Sequence, residues 1–164
     1  MSPVAECPIP RAGADSLTPD ALLDKLRARL AASPALSHLG LRLESLAPDA
    51  CVLALPYRPE ITNGSGTVHG GVLATLADTA VAFALSTNFE GKMGFATADL
   101  TIHFLARARS DVAARARILK KGRRVNVGEV DITDASGRLV ARAHATFVLT
   151  TSSFAYAPEG KEKA

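Results

Sequence analysis

One long apolar segment constrains the fold of this chain more than any other feature. Residues 69–85 read HGGVLATLADTAVAFAL, and Asp78 is the sole Asp or Glu among them. The segment is rich in Ala and Leu and too long for a single buried strand, so it predicts a helix packed on nearly all its faces. Other elements of the fold must therefore cover this helix.

The position of Asp78 in this segment needs a physical explanation. An ionised carboxylate among apolar side chains loses hydration worth on the order of several kcal/mol unless a partner compensates. On this residue alone, two interpretations stay open. Asp78 can be a structural carboxylate held by an Arg or by backbone N–H groups, or a base or nucleophile with a tuned pKa beside a substrate.

The loop before the helix favours the second interpretation. It reads NGSGTVHGG from Asn63 to Gly71 and runs directly into the predicted helix start. The first N–H groups of a helix have no internal acceptor and lie at the positive end of its dipole, so they can hold a partial negative charge. Gly70 and Gly71 let a ligand approach this backbone closely, which predicts an oxyanion hole.

Asp78 and the start of its own helix are too far apart to act on one carbonyl. Nine residues at about 1.5 Å per residue place Asp78 roughly 13 Å along the axis from His69. Two antiparallel helices from two chains can bring the groups together, each offering its start to the other's middle. We therefore expect a composite site at a two-fold homodimer interface. This geometry leaves open whether the assembly is the homodimer alone or a homotetramer in which two such dimers pair.

These residues resemble the hotdog-fold acyl-CoA thioesterases of the phenylacetic-acid-pathway (PaaI-like) group. The similarity covers about residues 39–149. The positions in register are Asn63, Gly66, His69, Gly70, Gly71, Leu76, Asp78 and the stretch GRRVNVGEVDI from Gly122. HGG alone is a weak match, but an Asn six positions before the His and an Asp nine positions after it make the pattern fairly specific.

The resemblance implies an α+β hotdog fold, a curved antiparallel sheet wrapped around a long central helix, and cofactor-free hydrolysis of an acyl-CoA thioester to a free acid and coenzyme A. It implies that the Gly70 N–H polarises the carbonyl while Asn63 helps to place it. Asp78 of the partner chain then activates water or attacks directly, and the water route is preferred. Thr97 falls where the family has a hydroxyl that positions this water.

Three of these residues also have plainer interpretations. Strand alternation places Leu100 and Ile102 on the face opposite Thr97, so Thr97 needs the dimer partner or a local bulge to reach Asp78 if the even-numbered face packs on the helix. His69 is more simply a residue that fixes the loop by bonding nearby backbone than a proton-transfer group. Asn63 can likewise be a turn or cap residue.

The remaining periodicity predicts helices before and inside a run of strands. Thr18 and Pro19 begin a helix with a leucine stripe, and Ser33-Pro34 ends it. Strands are predicted at 39–46, 50–57, 95–106, 111–121, 123–133 and 139–151, and a change of apolar phase across Gly128 predicts a β-bulge. Residues 17–151 then form a single domain, between a mobile arm (1–16) and a flexible tail (152–164).

The charge balance suggests a polyanionic partner. The formal net charge is +3, and basic residues cluster in the turn near residue 122. Such a cluster is usually a solvated rim, but it can also hold the phosphates of coenzyme A. The predicted substrate-binding residues are Gly71, Lys120, Lys121, Arg123, Arg124 and Arg107. With aromatics at 5% and no Trp, nucleic acid is a poorer fit.

Several other functions lack their sequence signals. The four His lack metal-ligand spacing, and no phosphate loop or Gly-x-Ser-x-Gly motif is present. No stretch is long and apolar enough to span a bilayer, and Cys7 and Cys51 form no motif, which favours a reducing cytoplasm. A metal-free hydrolase is the simplest enzyme; the alternatives are a non-catalytic acyl-CoA-binding or sensing domain and a hydroxyacyl-thioester dehydratase.

For the acyl group, the resemblance implies an aryl-acetyl or medium-length acyl chain. Phe83, Phe89, Phe95 and Leu105 are possible walls of its pocket, although plain core positions are equally in keeping with their pattern.

Overall fold

The computed structural model describes residues 18–89 and 94–150, so the predicted N-terminal arm and C-terminal tail lie outside the described residues. The elements in chain order are α1 (Pro19–Ala32), α2 (Pro34–Leu39), β1 (Arg42–Ala47), β2 (Ala50–Leu55), α3 (Gly70–Ser86), β3 (Gly94–Phe104), β4 (Val112–Lys120), β5 (Val125–Asp134) and β6 (Leu139–Thr150), with a 3₁₀ turn at Pro59–Ile61. This arrangement confirms the predicted α+β class.

The strands form one antiparallel sheet in the order β1-β2-β4-β5-β6-β3, and α3 lies against one face of it. The helix contacts β2, β3, β4, β5 and β6. Leu76, Val81 and Leu85 of α3 are fully buried, as the apolar segment predicts. No helix within the described residues is long and apolar enough to cross a bilayer.

The first helix begins and ends at the predicted signals. Thr18 caps α1 by accepting a hydrogen bond from the Ala21 N–H at 3.3 Å, and α1 packs on β1. Ser33-Pro34 ends α1, but it also starts α2, which the sequence did not predict as a separate helix. Pro34 is favoured in the first turn, and Gly40 adopts the left-handed conformation (φ 74°) that ends α2.

The bulge predicted in β5 at Gly128 is wrong. The inner face of β5 continues from Asn126 through Gly128 to Val130, and the pairing of β5 with β6 is unbroken across these residues. The extra residue lies instead in β4, where Leu119 is skipped in the register with β5. The prediction assumed that the apolar residues of this strand lie on its inner face. Instead, the outward-facing Val125 is 42% exposed, and the polar Asn126 is buried.

Gly128 is required by the close approach of α3 to the sheet. A Cβ atom at this position would lie 2.5 Å from Cγ1 of Val81 and 3.1 Å from the carbonyl oxygen of Arg117. Val81 is β-branched and fully buried in α3, so it has little freedom to move aside. The glycine therefore sets the spacing between the helix and the sheet.

We expect Gly128→Ala to lower the free energy of unfolding by about 1–3 kcal/mol, because the added methyl overpacks this contact. Urea denaturation measures the effect. In a double-mutant cycle, Val81→Ala should relieve part of the loss. Gly64→Ala is the control, since nothing lies within 4 Å of a Cβ at Gly64. An unchanged unfolding midpoint for Gly128→Ala would contradict this account.

Candidate active site

A bulge in β3 brings Thr97 to Asp78 within one chain. Thr97 pairs with Phe147 and Asp99 pairs with Thr146, so Ala98 is the extra residue. The Thr97 hydroxyl donates a hydrogen bond to Oδ1 of Asp78 at 2.8 Å. Of the two routes by which Thr97 was expected to reach Asp78, the structure therefore uses the local bulge.

The same bulge decides which side chains of β3 face α3. Before it, the odd-numbered Phe95 and Thr97 face the helix, and after it the even-numbered Leu100, Ile102 and Phe104 do. From Thr97 onward, the partners of these residues in β6 are buried side chains of the inner sheet face. One extra residue thus lets an alternating strand present both a hydroxyl and its apolar residues to α3.

Asp78 is half-buried, and among the described residues it forms no ion pair. Burial raises the pKa of its carboxyl above the usual Asp value, and the smaller effect of the Thr97 hydrogen bond lowers it. Among the residues that the structure describes, neither an Arg side chain nor a backbone N–H bonds this carboxyl, in contrast to the structural interpretation. The carboxyl is stabilised by one hydroxyl and otherwise lines a pocket.

The pocket beside Asp78 has a volume of about 230 Å³. Its walls come from α3, from β3 and from the junction of α1 and α2. Phe83 and Phe95, two of the predicted wall residues, line it. Phe89 instead packs against the core, and Leu105 is 56% exposed. Arg29, Ser33 and Leu36 of the N-terminal helices also line this pocket, which no local sequence signal indicated.

The loop before α3 is held by the side chain of Asn63. Oδ1 of Asn63 accepts hydrogen bonds from the Ser65 N–H at 3.0 Å and from the Thr67 hydroxyl at 2.9 Å. The Tyr57 hydroxyl adds a bond to the Gly66 carbonyl at 2.8 Å. Within the described residues, Nδ2 of Asn63 has no acceptor. The side-chain oxygen of Asn63 therefore stabilises the turn, while its side-chain nitrogen is available to donate a hydrogen bond.

One N–H group at the start of α3 is unpaired within the described part of the chain. His69 caps the helix, because its Nδ1 accepts from the Gly71 N–H at 3.0 Å. The N–H groups of Val72 and Leu73 both bond the His69 carbonyl, at 2.9 and 3.1 Å. The Gly70 N–H remains. The geometry of His69 is thus that of the loop-fixing interpretation, and the free donor is Gly70.

Gly70 and Asn63 line a second pocket, also of about 230 Å³, together with Phe104 and Arg107. A Cβ at Gly70 would lie 3.2 Å from the edge of the Phe104 ring, which is itself 54% exposed. Asp78 does not line this pocket, and Gly70 does not line the first. The carboxyl and the free N–H of one chain therefore open into separate pockets.

The predicted basic rim is divided between different surroundings. Nζ of Lys121 donates to Oδ2 of Asp49 at 2.8 Å and to Oδ1 of Asn88 at 3.1 Å, which ties the β1–β2 turn to the end of α3. Arg107 lies beside the helix start. The other basic residues, Lys120, Arg123 and Arg124, are exposed at the β4–β5 turn and line neither pocket. The described residues contain no cluster of metal-ligand side chains.

Sequence comparison and structure comparison both relate this chain to thioesterases. Residues 65–141 match the thioesterase superfamily. Acyl-coenzyme A thioesterase 13 of Homo sapiens is 34% identical over 107 residues, which cover 63% of this chain and 76% of that protein. Zebrafish thioesterase superfamily member 2 is 30% identical with a TM-score of 0.72, covering 82% of this chain and 100% of the other. A variant of the phenylacetic acid degradation protein PaaI from Thermus thermophilus is 30% identical with a TM-score of 0.65, covering 71% and 98%.

The raised pKa of Asp78 has a consequence for stability. A carboxyl whose pKa is raised by folding binds its proton more tightly in the folded state, and this stabilises the folded state. The stabilisation is complete below the pKa of the unfolded chain, near 3.9, and is lost as the pH rises through the pKa of the folded state. At pH 7.5 the ionised Asp78 therefore costs stability. We expect Asp78→Asn to raise the melting temperature at that pH by about 2 °C or more, with the gain shrinking toward pH 4.

Differential scanning calorimetry at several pH values measures this gain. Asp99→Asn is the matched control, since Asp99 is an exposed carboxylate two positions beyond Thr97 in the same strand. A lower melting temperature for Asp78→Asn at pH 7.5 would show that the ionised carboxylate stabilises the fold instead.

Proposed function

The chain belongs to the thioesterase superfamily as a hotdog-fold, PaaI-like thioester hydrolase, and from this premise we propose that it hydrolyses acyl-CoA thioesters at a site shared by two chains. The observation that carries the proposal is the separation of two complementary groups. Asp78 lacks an ion-pair partner within the described residues and lines one pocket, whereas the free Gly70 N–H lies in another. A second copy of α3 placed antiparallel to the first would bring these groups together.

In the proposed reaction, the thioester carbonyl oxygen accepts hydrogen bonds from the Gly70 N–H and from Nδ2 of Asn63, both of the partner subunit. The Thr97 hydroxyl holds Oδ1 of Asp78, which leaves Oδ2 to take a proton from water. The resulting hydroxide adds to the carbonyl carbon, and the C–S bond then breaks. The proton on Asp78 passes to the departing thiolate, which yields the free acid and coenzyme A.

The electrostatics support these roles. Because burial raises the pKa of Asp78, its carboxylate is a stronger base than an exposed one. The Gly70 N–H lies at the positive end of the α3 dipole, where the negative charge that develops on the carbonyl oxygen is stabilised. His69 acts as a positioning residue, since its bond to the Gly71 N–H sets the helix start and leaves Gly70 free.

The edge strand β3 is the proposed contact between the two chains. β3 ends the sheet on one side, and Phe104 and Leu105 at its end are 54% and 56% exposed. An unpaired strand edge with exposed large apolar residues is a template for pairing with a second copy. The proposed assembly is a homodimer through this edge, with two dimers pairing into a homotetramer.

Arg107 is the proposed contact for the phosphates of coenzyme A nearest the reaction centre, because it shares a pocket with Gly70. The exposed Lys120, Arg123 and Arg124 are proposed to contact the more distant phosphates, and Gly71 to line the path of the bound chain. Lys121 is proposed to contribute less to phosphate binding, since Asp49 holds its ammonium group.

The proposed location is the cytoplasm, where Cys51, a free and buried thiol, would stay reduced.

Release of free thiol from a panel of acyl-CoA thioesters tests the proposal. We expect turnover by the wild type and a loss of about 10²–10⁴-fold in kcat for Asp78→Ala, because the base is removed. Light scattering should show the same assembly as the wild type, and Asp99→Ala is the matched control. Binding of acyl-CoA without turnover by the wild type would favour the sensing domain instead, and an active Asp78→Ala enzyme would reject the role of Asp78.

Two substitutions at Gly70 test whether its backbone N–H forms the oxyanion hole. Gly70→Pro removes the N–H at the first residue of α3, where proline is tolerated, and His69 already has the φ of −61° and ψ of 136° that precede a proline. Gly70→Ala adds the same Cβ beside Phe104 but keeps the N–H. We expect the proline variant to lose about 10²–10³-fold more in kcat than the alanine variant. Equal losses would contradict this role.

A further inference from the structure

The pocket beside Asp78 contains a cation that the proposed reaction does not use. Arg29, in the last turn of α1, lines this pocket. Among the described residues, the Arg29 guanidinium has no ion-pair or hydrogen-bond partner, whereas its neighbour Arg27 bonds the Leu43 carbonyl at 3.3 Å and pairs with Asp24 at 3.8 Å. The charge of Arg29 is thus available to a ligand in the pocket.

Arg29 and Asp78 line the same pocket without pairing with each other. Among the described residues, the Arg29 guanidinium and the Asp78 carboxyl form no ion pair. Each charge is therefore free of the other. The reactive carboxyl of Asp78 lies on the α3 side of the pocket, and the guanidinium of Arg29 comes from α1.

The other polar groups of the pocket do not replace this cation. The hydroxyls of Thr79 and Ser86 both donate to carbonyls of their own helix, at 2.7 and 2.9 Å, so toward the pocket they can offer only lone pairs. The Ser33 hydroxyl also lines the pocket but is a neutral group. Of the described residues that line the pocket, Arg29 is the one with a positive charge.

The rest of the lining fits a short acyl chain. Leu36, Ala82, Phe83 and Phe95 supply apolar surface. The volume of about 230 Å³ lies below the roughly 300–1,000 Å³ typical of pockets for drug-sized ligands. A purely hydrocarbon acyl group would gain nothing from the guanidinium, whereas a carboxylate at its far end can accept two parallel hydrogen bonds from it.

We propose that Arg29 is a specificity residue that binds a carboxylate at the far end of a short acyl group. The preferred substrates are then coenzyme A monothioesters of short dicarboxylic acids. This inference rests on the proposed acyl-CoA hydrolysis and adds the substrate class. The simpler role for Arg29, compensation of the α1 dipole at the C-terminal end of the helix, affects stability but not the choice between substrates.

The test compares glutaryl-CoA with pentanoyl-CoA, which have acyl chains of equal length and differ in the terminal carboxylate. We expect the wild type to favour glutaryl-CoA in kcat/KM by about tenfold or more, since a hydrogen bond to a charged group contributes about that factor. Arg29→Leu should lose this preference, mainly through a higher KM for glutaryl-CoA, and its loss on pentanoyl-CoA should be the smaller of the two. Arg29→Lys should keep part of the preference.

Arg27→Leu is the matched control, because it removes the same charge from the same helix outside the pocket, and its preference should be that of the wild type. Equal kcat/KM for the two substrates in the wild type would overturn the inference while leaving acyl-CoA hydrolysis intact. An equal loss on both substrates in Arg29→Leu would also overturn it. Turnover of neither substrate by the wild type would contradict the proposed function and this inference together.

Discussion

Burial of α3 against the sheet is the constraint from which the other features of this protein follow. The helix is apolar on almost every side and needs cover, and the sheet packs against it with five of its strands. Close packing requires a glycine at position 128, where a side chain would meet Val81. The same burial removes water from Asp78 and raises the pKa of its carboxyl. The site and the core are thus consequences of one packing arrangement.

The helix also separates the two kinds of group that the proposed reaction needs. Its start carries the free Gly70 N–H, and its middle carries Asp78, about two turns further along. Each group lines its own pocket, and neither pocket contains both. A rigid helix cannot bend to bring the two groups together. A two-fold axis beside the helix places the Gly70 N–H of each chain near Asp78 of the other, which forms two equivalent sites. On this account, dimerisation is a requirement of the chemistry.

The sequence predicted what depends on local patterns. The length and composition of the apolar segment predicted α3, Thr18 and Pro19 predicted the start of α1, and the lone carboxylate pointed to Asp78. The glycines before the helix predict that a ligand can approach this backbone, which stays a prediction. Each of these signals acts within a few residues, so a single chain segment is enough to reveal it.

Features that depend on pairing between distant segments could not be derived in this way. The bulge at Ala98 is visible only in the register of β3 with β6, and without it Thr97 would point away from Asp78. In β5 the exposed Val125 and the buried Asn126 reverse the usual pattern, so the predicted bulge was misplaced. The position of Arg29 depends on how α1 packs across the fold, for which the sequence carries no local signal.

Complementation between two inactive variants tests the shared site most directly. Asp78→Ala and Gly70→Pro chains are mixed under conditions that exchange subunits, and thiol release is measured against each parent. A hybrid dimer has one site with both groups intact, so an equal mixture should recover about one quarter of the wild-type rate. No recovery, with hybrid dimers confirmed by mass, would show that each chain builds its own site and would contradict the account.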